Sequence, residues 1–173
     1  MGEEYKILLV NDNSNGTVYG RKHSGIQEDI REAINYLGRK GLRWDLDLCR
    51  GGDAVEAASL GYDAVVMSYN GDNEINTAIE IRSQDSDINI GYVTHYEKSR
   101  LPPELAAIFE RFNIRNLEKR IGGISDPKVS HLKKEFEKYL CECSGVDHGD
   151  LKDPDFRIKP KQEKVMAGIE EAY

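Results

Sequence analysis

Five apolar runs that suit buried β-strands alternate along the chain with segments that have the spacing of amphipathic helices. In the first helical segment, for example, Ile26, Ile30 and Ile34 recur every four positions. Strict alternation of strands and helices predicts a parallel sheet covered by helices on both faces, because parallel neighbours need crossover connections and those are right-handed. The apolar runs lie at residues 5–10, 44–48, 63–68, 88–94 and 114–119.

The five runs predict an α/β domain with a flavodoxin-like fold, a five-stranded parallel sheet in the order 2-1-3-4-5 with helices on both faces. The runs ILLV and AVVM are apolar without alternation, which fits strands buried on both sides. In such a sheet the active crevice lies outside the carboxyl ends of the strands, at the switch point between strands 1 and 3. The polar residues that this topology brings to that edge are Asn11, Asp12, Ser68, Thr94 and Lys119.

The length of 173 residues predicts one domain with a substantial core. We assign residues 1–144 to this domain. The connection after the first strand, about residues 14–24, is longer than the roughly two to six residues that are usual, so we treat it as an insertion. Residues 145–173 are polar and contain proline, which predicts a linker followed by a short helical tail.

Charge and hydropathy argue against several classes of partner. A net charge of −7 disfavours a nucleic-acid surface, because phosphate neutralisation needs clustered Lys and Arg. No apolar run approaches the roughly 18 residues of a membrane span. The N-terminal residues MGEEYKILLV have no basic segment ahead of a long apolar stretch. We therefore expect a cytoplasmic protein that binds neither nucleic acid nor a membrane.

The three cysteines form no evident disulfide framework, and reduced thiols are expected in the cytoplasm. Cys141 and Cys143 lie near His148 in the sequence, but their spacing is C-x-C and no second pair of cysteines accompanies them. Structural zinc sites usually combine two closely spaced pairs of ligands. We expect no metal site and no cofactor from these patterns.

With the strand ends aligned, residues 4–142 resemble the receiver domain of two-component response regulators. The stretch YKILLVNDN resembles the first strand of that family, which ends in an acidic pair where this chain has Asn11 and Asp12. The stretch GYDAVVMS resembles the third strand, and its Ser68 stands where the phospho-accepting aspartate of the family belongs.

The resemblance extends to two more strand ends. Thr94 matches the hydroxyl residue that senses the phosphoryl group, and Lys119 matches the lysine that pairs with it. Asn116 stands where the switch aromatic of the family is usually found, and Arg120 replaces the proline that usually follows the lysine. The resemblance therefore implies that the hydroxyl residue and the lysine of the receiver switch are retained, whereas its aromatic residue is not.

The same comparison implies that the phosphorylation chemistry is lost. That chemistry needs Mg²⁺ held largely by carboxylates and a carboxylate that forms an acyl phosphate. Ser68 supplies neither function, and Asn11 leaves Asp12 as the one carboxylate expected at the centre. A hydrolase with Ser68 as nucleophile is disfavoured too, since no G-x-S-x-G elbow surrounds it. We interpret the chain as a pseudo-receiver and not as an enzyme.

The first functional hypothesis is a phosphorylation-independent signalling module that acts through protein–protein contact, as a homodimer or with another protein. In the receiver family the usual output face comprises the fourth and fifth helices and the last strand. Aromatic side chains are typical anchors of such interfaces, as are large apolar ones in the interface core. The candidate anchors in these two helices are Ile108, Phe109, Phe112 and Tyr139.

The alternative is a flavodoxin-like binder of FMN or another phosphate-bearing ligand. The loop after the first strand carries small and hydroxyl residues where flavodoxins hold the FMN phosphate, and two basic residues follow it. The loop does not match the Walker A pattern. The candidate anion-binding residues are Ser14, Gly16, Thr17, Arg21 and Lys22.

Overall fold

A computed structural model describes residues 4–10, 17–18, 21–22, 25–68, 72–94, 96, 100–119 and 131–157. None of the helices in these ranges is both long and apolar enough to cross a membrane. The strands are β1 (Glu4–Val10), β2 (Thr17–Val18), β3 (Arg21–Lys22), β4 (Arg43–Cys49), β5 (Ala64–Ser68), β6 (Asn89–Thr94) and β7 (Ile114–Glu118). The α-helices are α1 (Gly25–Arg39), α2 (Ala54–Ala58), α3 (Asp72–Gln84), α4 (Pro103–Arg111) and α5 (His131–Ser144), and 3-10 helices span Gly51–Asp53 and His148–Lys152.

The main sheet has five parallel strands in the order β4-β1-β5-β6-β7. Counted along the chain, this is the order 2-1-3-4-5, so the predicted flavodoxin-like sheet is confirmed. Its register aligns the carboxyl ends of the strands: Val10 pairs with both Cys49 and Met67, and Ser68 pairs with Val93. The strands β4 and β7 form the two edges of the sheet.

Each strand sends alternate side chains to opposite faces of the sheet, and a separate core lies on each face. Ile7 and Leu9 belong to the core that includes Phe136 of α5 and the buried face of α1. Leu8 and Val10 belong to the core that includes residues of α2, α3 and α4. Burial on both faces explains why the strands read as continuous apolar runs.

The packing of α5 on β6 depends on the absence of a side chain at Gly91. A Cβ atom at Gly91 would lie 2.8 Å from Leu117 Cδ1 and 3.0 Å from Tyr139 Cζ. Both separations are shorter than the roughly 3.5–4.0 Å of an unstrained contact between carbon atoms. The glycine therefore lets the Tyr139 ring lie against the strand.

Arg82 of α3 holds the turn between α4 and β7. Its Nε donates a hydrogen bond to the Phe112 carbonyl at 2.8 Å, and its Nη2 donates to the Asn113 carbonyl at 3.2 Å. Asn113 has a φ of 53°, in the left-handed region where asparagine is tolerated better than most side chains. The contact fixes the end of α4 relative to the start of β7.

Residues 145–157 pack on α1 and α5, although the sequence analysis places them in a polar linker. Leu151 is 1% exposed and belongs to the core that α1 and α5 share. The Tyr36 hydroxyl donates to the Leu151 carbonyl at 3.2 Å, and Lys40 Nζ donates to the Asp153 carbonyl at 3.0 Å. Leu151, with the partly buried Val146 and Phe156, thus docks the segment on this core. The predicted tail beyond residue 157 lies outside the described residues.

The predicted insertion at residues 14–24 contains β2 and β3, a short antiparallel pair in which Thr17 lies opposite Lys22 and Val18 opposite Arg21. The sequence analysis predicts no strands there. Two-residue strands carry too few side chains to produce a recognisable alternation. The remainder of the insertion lies outside the described residues.

Candidate functional site

Ser68 closes β5 at the carboxyl edge of the sheet, where strand pairing holds it beside Val93 of β6. Its side chain is buried, with 5% of the residue exposed, and its Oγ has no hydrogen-bond partner among the described residues. The position thus presents a buried, neutral hydroxyl. A serine there supplies no charge to hold a metal ion, and it needs an adjacent base to act as a nucleophile.

Thr94 closes β6 and is almost fully buried, with 1% of the residue exposed. Its hydroxyl donates to Asn116 Oδ1 and accepts a hydrogen bond from the Tyr96 backbone N–H at 3.2 Å. Asn116 completes the arrangement by donating from Nδ2 to the Tyr96 carbonyl at 3.0 Å. The one hydroxyl proton of Thr94 is therefore directed to β7, and the side chain is held by its own neighbours.

Lys119 follows the last residue of β7 and is partly exposed. Its backbone N–H donates to the Thr94 carbonyl at 2.7 Å, so the ends of β6 and β7 are fastened together. The sheet thus brings Ser68, Thr94 and Lys119 to one edge, as the topology predicts. The other two predicted pocket residues, Asn11 and Asp12, lie outside the described residues.

Asn116 is the residue of this site whose role sequence reasoning missed. Its place three residues before Lys119 is apparent in the sequence, yet nothing in the sequence pairs it with Thr94. The pairing arises because β6 and β7 are parallel neighbours in which Tyr92 aligns with Asn116 and Thr94 aligns with Glu118. The two side chains thus form a hydrogen bond between β6 and β7.

The predicted interface anchors divide by burial. Ile108 and Phe112 are partly exposed at the surface of α4 and at its end. Phe109 and Tyr139 are core residues with exposures of 5% and 3%, so the prediction that they are surface anchors needs correction. The sequence pattern could not reveal that Tyr139 fills the space left by Gly91.

A groove of about 510 Å³ runs between α4 and the edge strand β7. Its lining combines an apolar floor with one acidic and one basic side chain. Glu110 is exposed, and Arg115 forms an ion pair with Glu142 of α5 in which Nε lies 3.1 Å from Oε2. The lining residues are Leu101, Ala106, Phe109, Glu110, Asn113, Ile114, Arg115 and Asn116.

The predicted anion-binding loop falls mostly outside the described residues. Ser14 and Gly16 are not among them, and the backbone of Thr17, Arg21 and Lys22 lies in β2 and β3. The hypothesis that this loop holds FMN or another phosphate-bearing ligand therefore stays a prediction.

Cys141 and Cys143 are free thiols in α5. Burial, followed by nearby acidic groups, raises the pKa of Cys141 to about 12. Burial is likewise the largest cause that raises the pKa of Cys143 to about 12. His148 Nε2 lies 3.2 Å from Glu137 Oε1, and in the part of the chain that the structure describes it forms no three-ligand group with the cysteines.

No protein-family profile matches the sequence, and no curated protein matches it. Solved structures do match it. A receiver domain protein from Methanospirillum hungatei has a TM-score of 0.51 at 11% identity over 83% of this chain and 98% of its own. The chemotaxis response regulator CheY4 of Vibrio cholerae has a TM-score of 0.52 at 16% identity over 82% of this chain and 99% of its own.

An uncharacterised protein from Neptuniibacter caesariensis is similar at a TM-score of 0.50 and 16% identity, over 90% of this chain and 96% of its own. At these identities the likeness shows the fold. The chain has a receiver-like, flavodoxin-like fold, and a serine ends the third strand of its main sheet in chain order.

Proposed function

We propose that the protein is a pseudo-receiver, a signalling module that acts by protein–protein contact and does not depend on phosphorylation. The observation that carries the proposal is Ser68. This buried, neutral side chain ends β5 at the phospho-acceptor position, with no hydrogen-bond partner among the described residues. An acyl phosphate requires a carboxylate, and Mg²⁺ prefers a set of oxygen ligands that includes carboxylates.

The Thr94 network supports the same proposal. A phosphoryl sensor must be able to direct its hydroxyl toward the acceptor, but Thr94 donates its proton to Asn116 and lies among buried groups. Moving it would leave Asn116 Oδ1 without that bond, which costs on the order of 1–3 kcal/mol for a buried polar group. The site is thus arranged as a fixed support for β6 and β7.

The face that remains for signalling is the groove between α4 and β7, and we infer that its partner is a second copy of the chain. Two-fold symmetric interfaces pair one patch with itself, so a patch that carries both signs of charge can be self-complementary. Glu110 and Arg115 both line the groove, with Phe109 and Ile114 in its apolar floor. Glu110 of each copy would then face Arg115 of its partner.

Intact mass measurement after incubation with acetyl phosphate and Mg²⁺ tests the loss of phosphorylation. We expect the mass of the full chain to stay unchanged. The Asp12→Asn variant is measured beside it, because the sequence analysis leaves Asp12 as the one carboxylate expected at the centre. A gain of one phosphoryl group that maps to Ser68, or one that disappears in the Asp12→Asn variant, would overturn the proposal.

Sedimentation of the full chain across micromolar concentrations tests the self-association. The single reversals Glu110→Arg and Arg115→Glu should weaken the dimer, because each places like charges opposite one another. The double variant Glu110→Arg/Arg115→Glu should restore most of it, although Arg115→Glu also removes the ion pair with Glu142 within each copy. Asp45→Arg on the opposite edge strand is the matched control and should leave the dimer unchanged, since Asp45 is exposed far along the sheet from β7.

Two outcomes of the sedimentation experiment would contradict the proposed interface. One is an ideal monomer at every concentration. The other is a dimer whose strength is insensitive to both reversals, which would place the contact elsewhere on the molecule.

A further inference from the structure

Three potential metal ligands converge at the end of β7 and the described start of α5. Glu118 closes β7, and His131 and Glu135 lie one helical turn apart on α5. The ligand atoms of the three residues all lie within 4.8 Å of one another. The side chains are 14% to 27% exposed, so the cluster is shielded from bulk water yet open to an ion.

Hydrogen bonding alone does not account for this cluster. His131 Nε2 lies 3.5 Å from Glu118 Oε2 and 3.3 Å from Glu135 Oε1, while a charge-assisted hydrogen bond between such groups is about 2.7–2.9 Å long. Nε2 can carry at most one proton, so it cannot donate to both carboxylates. This buried atom has no hydrogen-bond partner among the described residues.

The same distances fit a metal ion placed between the three atoms. Ligands about 2.0–2.2 Å from a tetrahedral Zn²⁺ lie about 3.3–3.6 Å from one another. The two separations at His131 Nε2, 3.3 and 3.5 Å, fall in this range. An imidazole with two carboxylates is also a donor set that zinc accepts, and the two negative charges match a divalent ion.

We propose that Glu118, His131 and Glu135 form a binding site for a divalent transition metal ion, with Zn²⁺ the best match. The ion would join the edge strand β7 to α5, and β7 lines the proposed interaction face. The site goes beyond the proposed function and does not depend on it, because none of its three ligands belongs to the Ser68 pocket.

Calorimetric titration of the chelator-treated full chain with ZnCl₂ tests the proposal. We expect one ion bound per chain, with affinity at least about 10- to 100-fold lower in each of the variants Glu118→Gln, His131→Gln and Glu135→Gln, since loss of an outer-shell partner alone has an effect of this size. The control His148→Gln removes an imidazole that pairs with one carboxylate, and it should leave zinc binding unchanged. Far-ultraviolet circular dichroism of each variant checks that the fold is retained.

A second readout on the unmodified chain keeps the test independent of folding defects. Added Zn²⁺ should shift the ring-nitrogen NMR signals of His131 and leave those of His148 in place. Co²⁺ in place of Zn²⁺ should give no thiolate charge-transfer band, because the proposed ligands are nitrogen and oxygen. Absence of binding, equal binding in all variants, or a thiolate band would each overturn the proposal.

Discussion

The functional interpretation depends first on a single side chain at the end of β5. Ser68 is buried, and a hydroxyl without a hydrogen-bond partner among the described residues adds little stability there. Such a position tolerates a neutral side chain, whereas a charged one would lose its hydration. In a receiver, a metal ion and neighbouring polar groups compensate for the lost hydration of the aspartate. The stability of a variant with a carboxylate at position 68 therefore distinguishes a site that accepts a charge from one that does not.

Replacing Ser68 by aspartate should therefore lower the free energy of unfolding by about 1–3 kcal/mol or more. The matched variant Ser68→Ala should change it by less than about 0.5 kcal/mol, because the hydroxyl that it removes has no hydrogen-bond partner among the described residues. Urea denaturation at neutral pH measures both. A Ser68→Asp protein as stable as the natural one would mean that the pocket can hold a carboxylate, which contradicts the pseudo-receiver interpretation.

At the scale of elements, neighbouring strands and helices are joined by a few specific contacts. The hydrogen bond between Thr94 and Asn116 joins β6 to β7. Removing either Thr94 or Asn116 leaves the other side chain buried without its hydrogen-bond partner, which costs free energy. Removing both side chains avoids this cost. A double-mutant cycle separates this coupling from simple loss of packing.

We expect Thr94→Val and Asn116→Leu each to lower the free energy of unfolding by about 1–3 kcal/mol. The double variant should lose about 1 kcal/mol less than the sum of the two, because neither member of the pair then faces an unsatisfied partner in the other. The bonds to the Tyr96 backbone are lost in the single variants as well and do not enter this difference. Urea denaturation of the four proteins gives the coupling energy. Strict additivity would show that the two side chains act independently, contrary to the geometry.

The thiols of α5 should make stability depend on alkaline pH. The pKa of Cys141 and of Cys143 rises from an ordinary 9.0 to about 12 in the folded chain, with burial as the largest cause. A folded-state pKa above the unfolded value means that the stabilisation is fully present below about pH 9 and is lost as the pH rises toward about 12.

Urea denaturation across this alkaline range should show a smaller loss of stability in the Cys141→Ala/Cys143→Ala variant than in the natural chain. Burial is the largest cause that raises the pKa of Tyr139, and Cys143 raises it further, so the difference reports the thiols together with their effect on this tyrosine. The absolute stability of the variant should be lower at every pH, since it loses buried atoms. Equal pH dependence in the two proteins would show that the thiols do not contribute to the alkaline loss of stability.

At the scale of the whole molecule, residues 145–157, which follow α5, also contribute to the core. Leu151 is buried against the α1 and α5 side of the sheet, and Tyr36 and Lys40 bind the backbone around it. The domain that packs as one body therefore includes residues 145–157, and a boundary at Ser144 divides it.

A chain that ends at Ser144 should be less stable than one that ends at Arg157 by at least about 2–5 kcal/mol, the usual cost of removing one buried leucine side chain. The point variant Leu151→Ala should reproduce most of that difference. Thermal and urea denaturation of the three proteins measure it. Equal stability of the two shortened chains would show that the segment is dispensable for folding.

Much of the architecture could be predicted because it depends on local pattern. The five strands were predicted within a residue or two of their observed bounds, since a strand buried on both faces must be apolar along its length. The sheet order and the meeting of Ser68, Thr94 and Lys119 follow from the alternation of elements and the topology of parallel sheets. The short pair β2 and β3 lacked such a pattern.

The sequence by itself determined the fold class and placed Ser68, a neutral residue, at the end of a central strand. Only the tertiary structure decided that Tyr139 lies in the core against Gly91, that Thr94 bonds to Asn116, and that Leu151 docks a polar segment. The spacing of His131 and Glu135 was visible in the sequence, but their meeting with Glu118 was not. The periodicity of apolar residues predicts which side chains are buried. The contacts of a side chain depend in addition on which distant element packs beside it, and the local pattern does not contain this information.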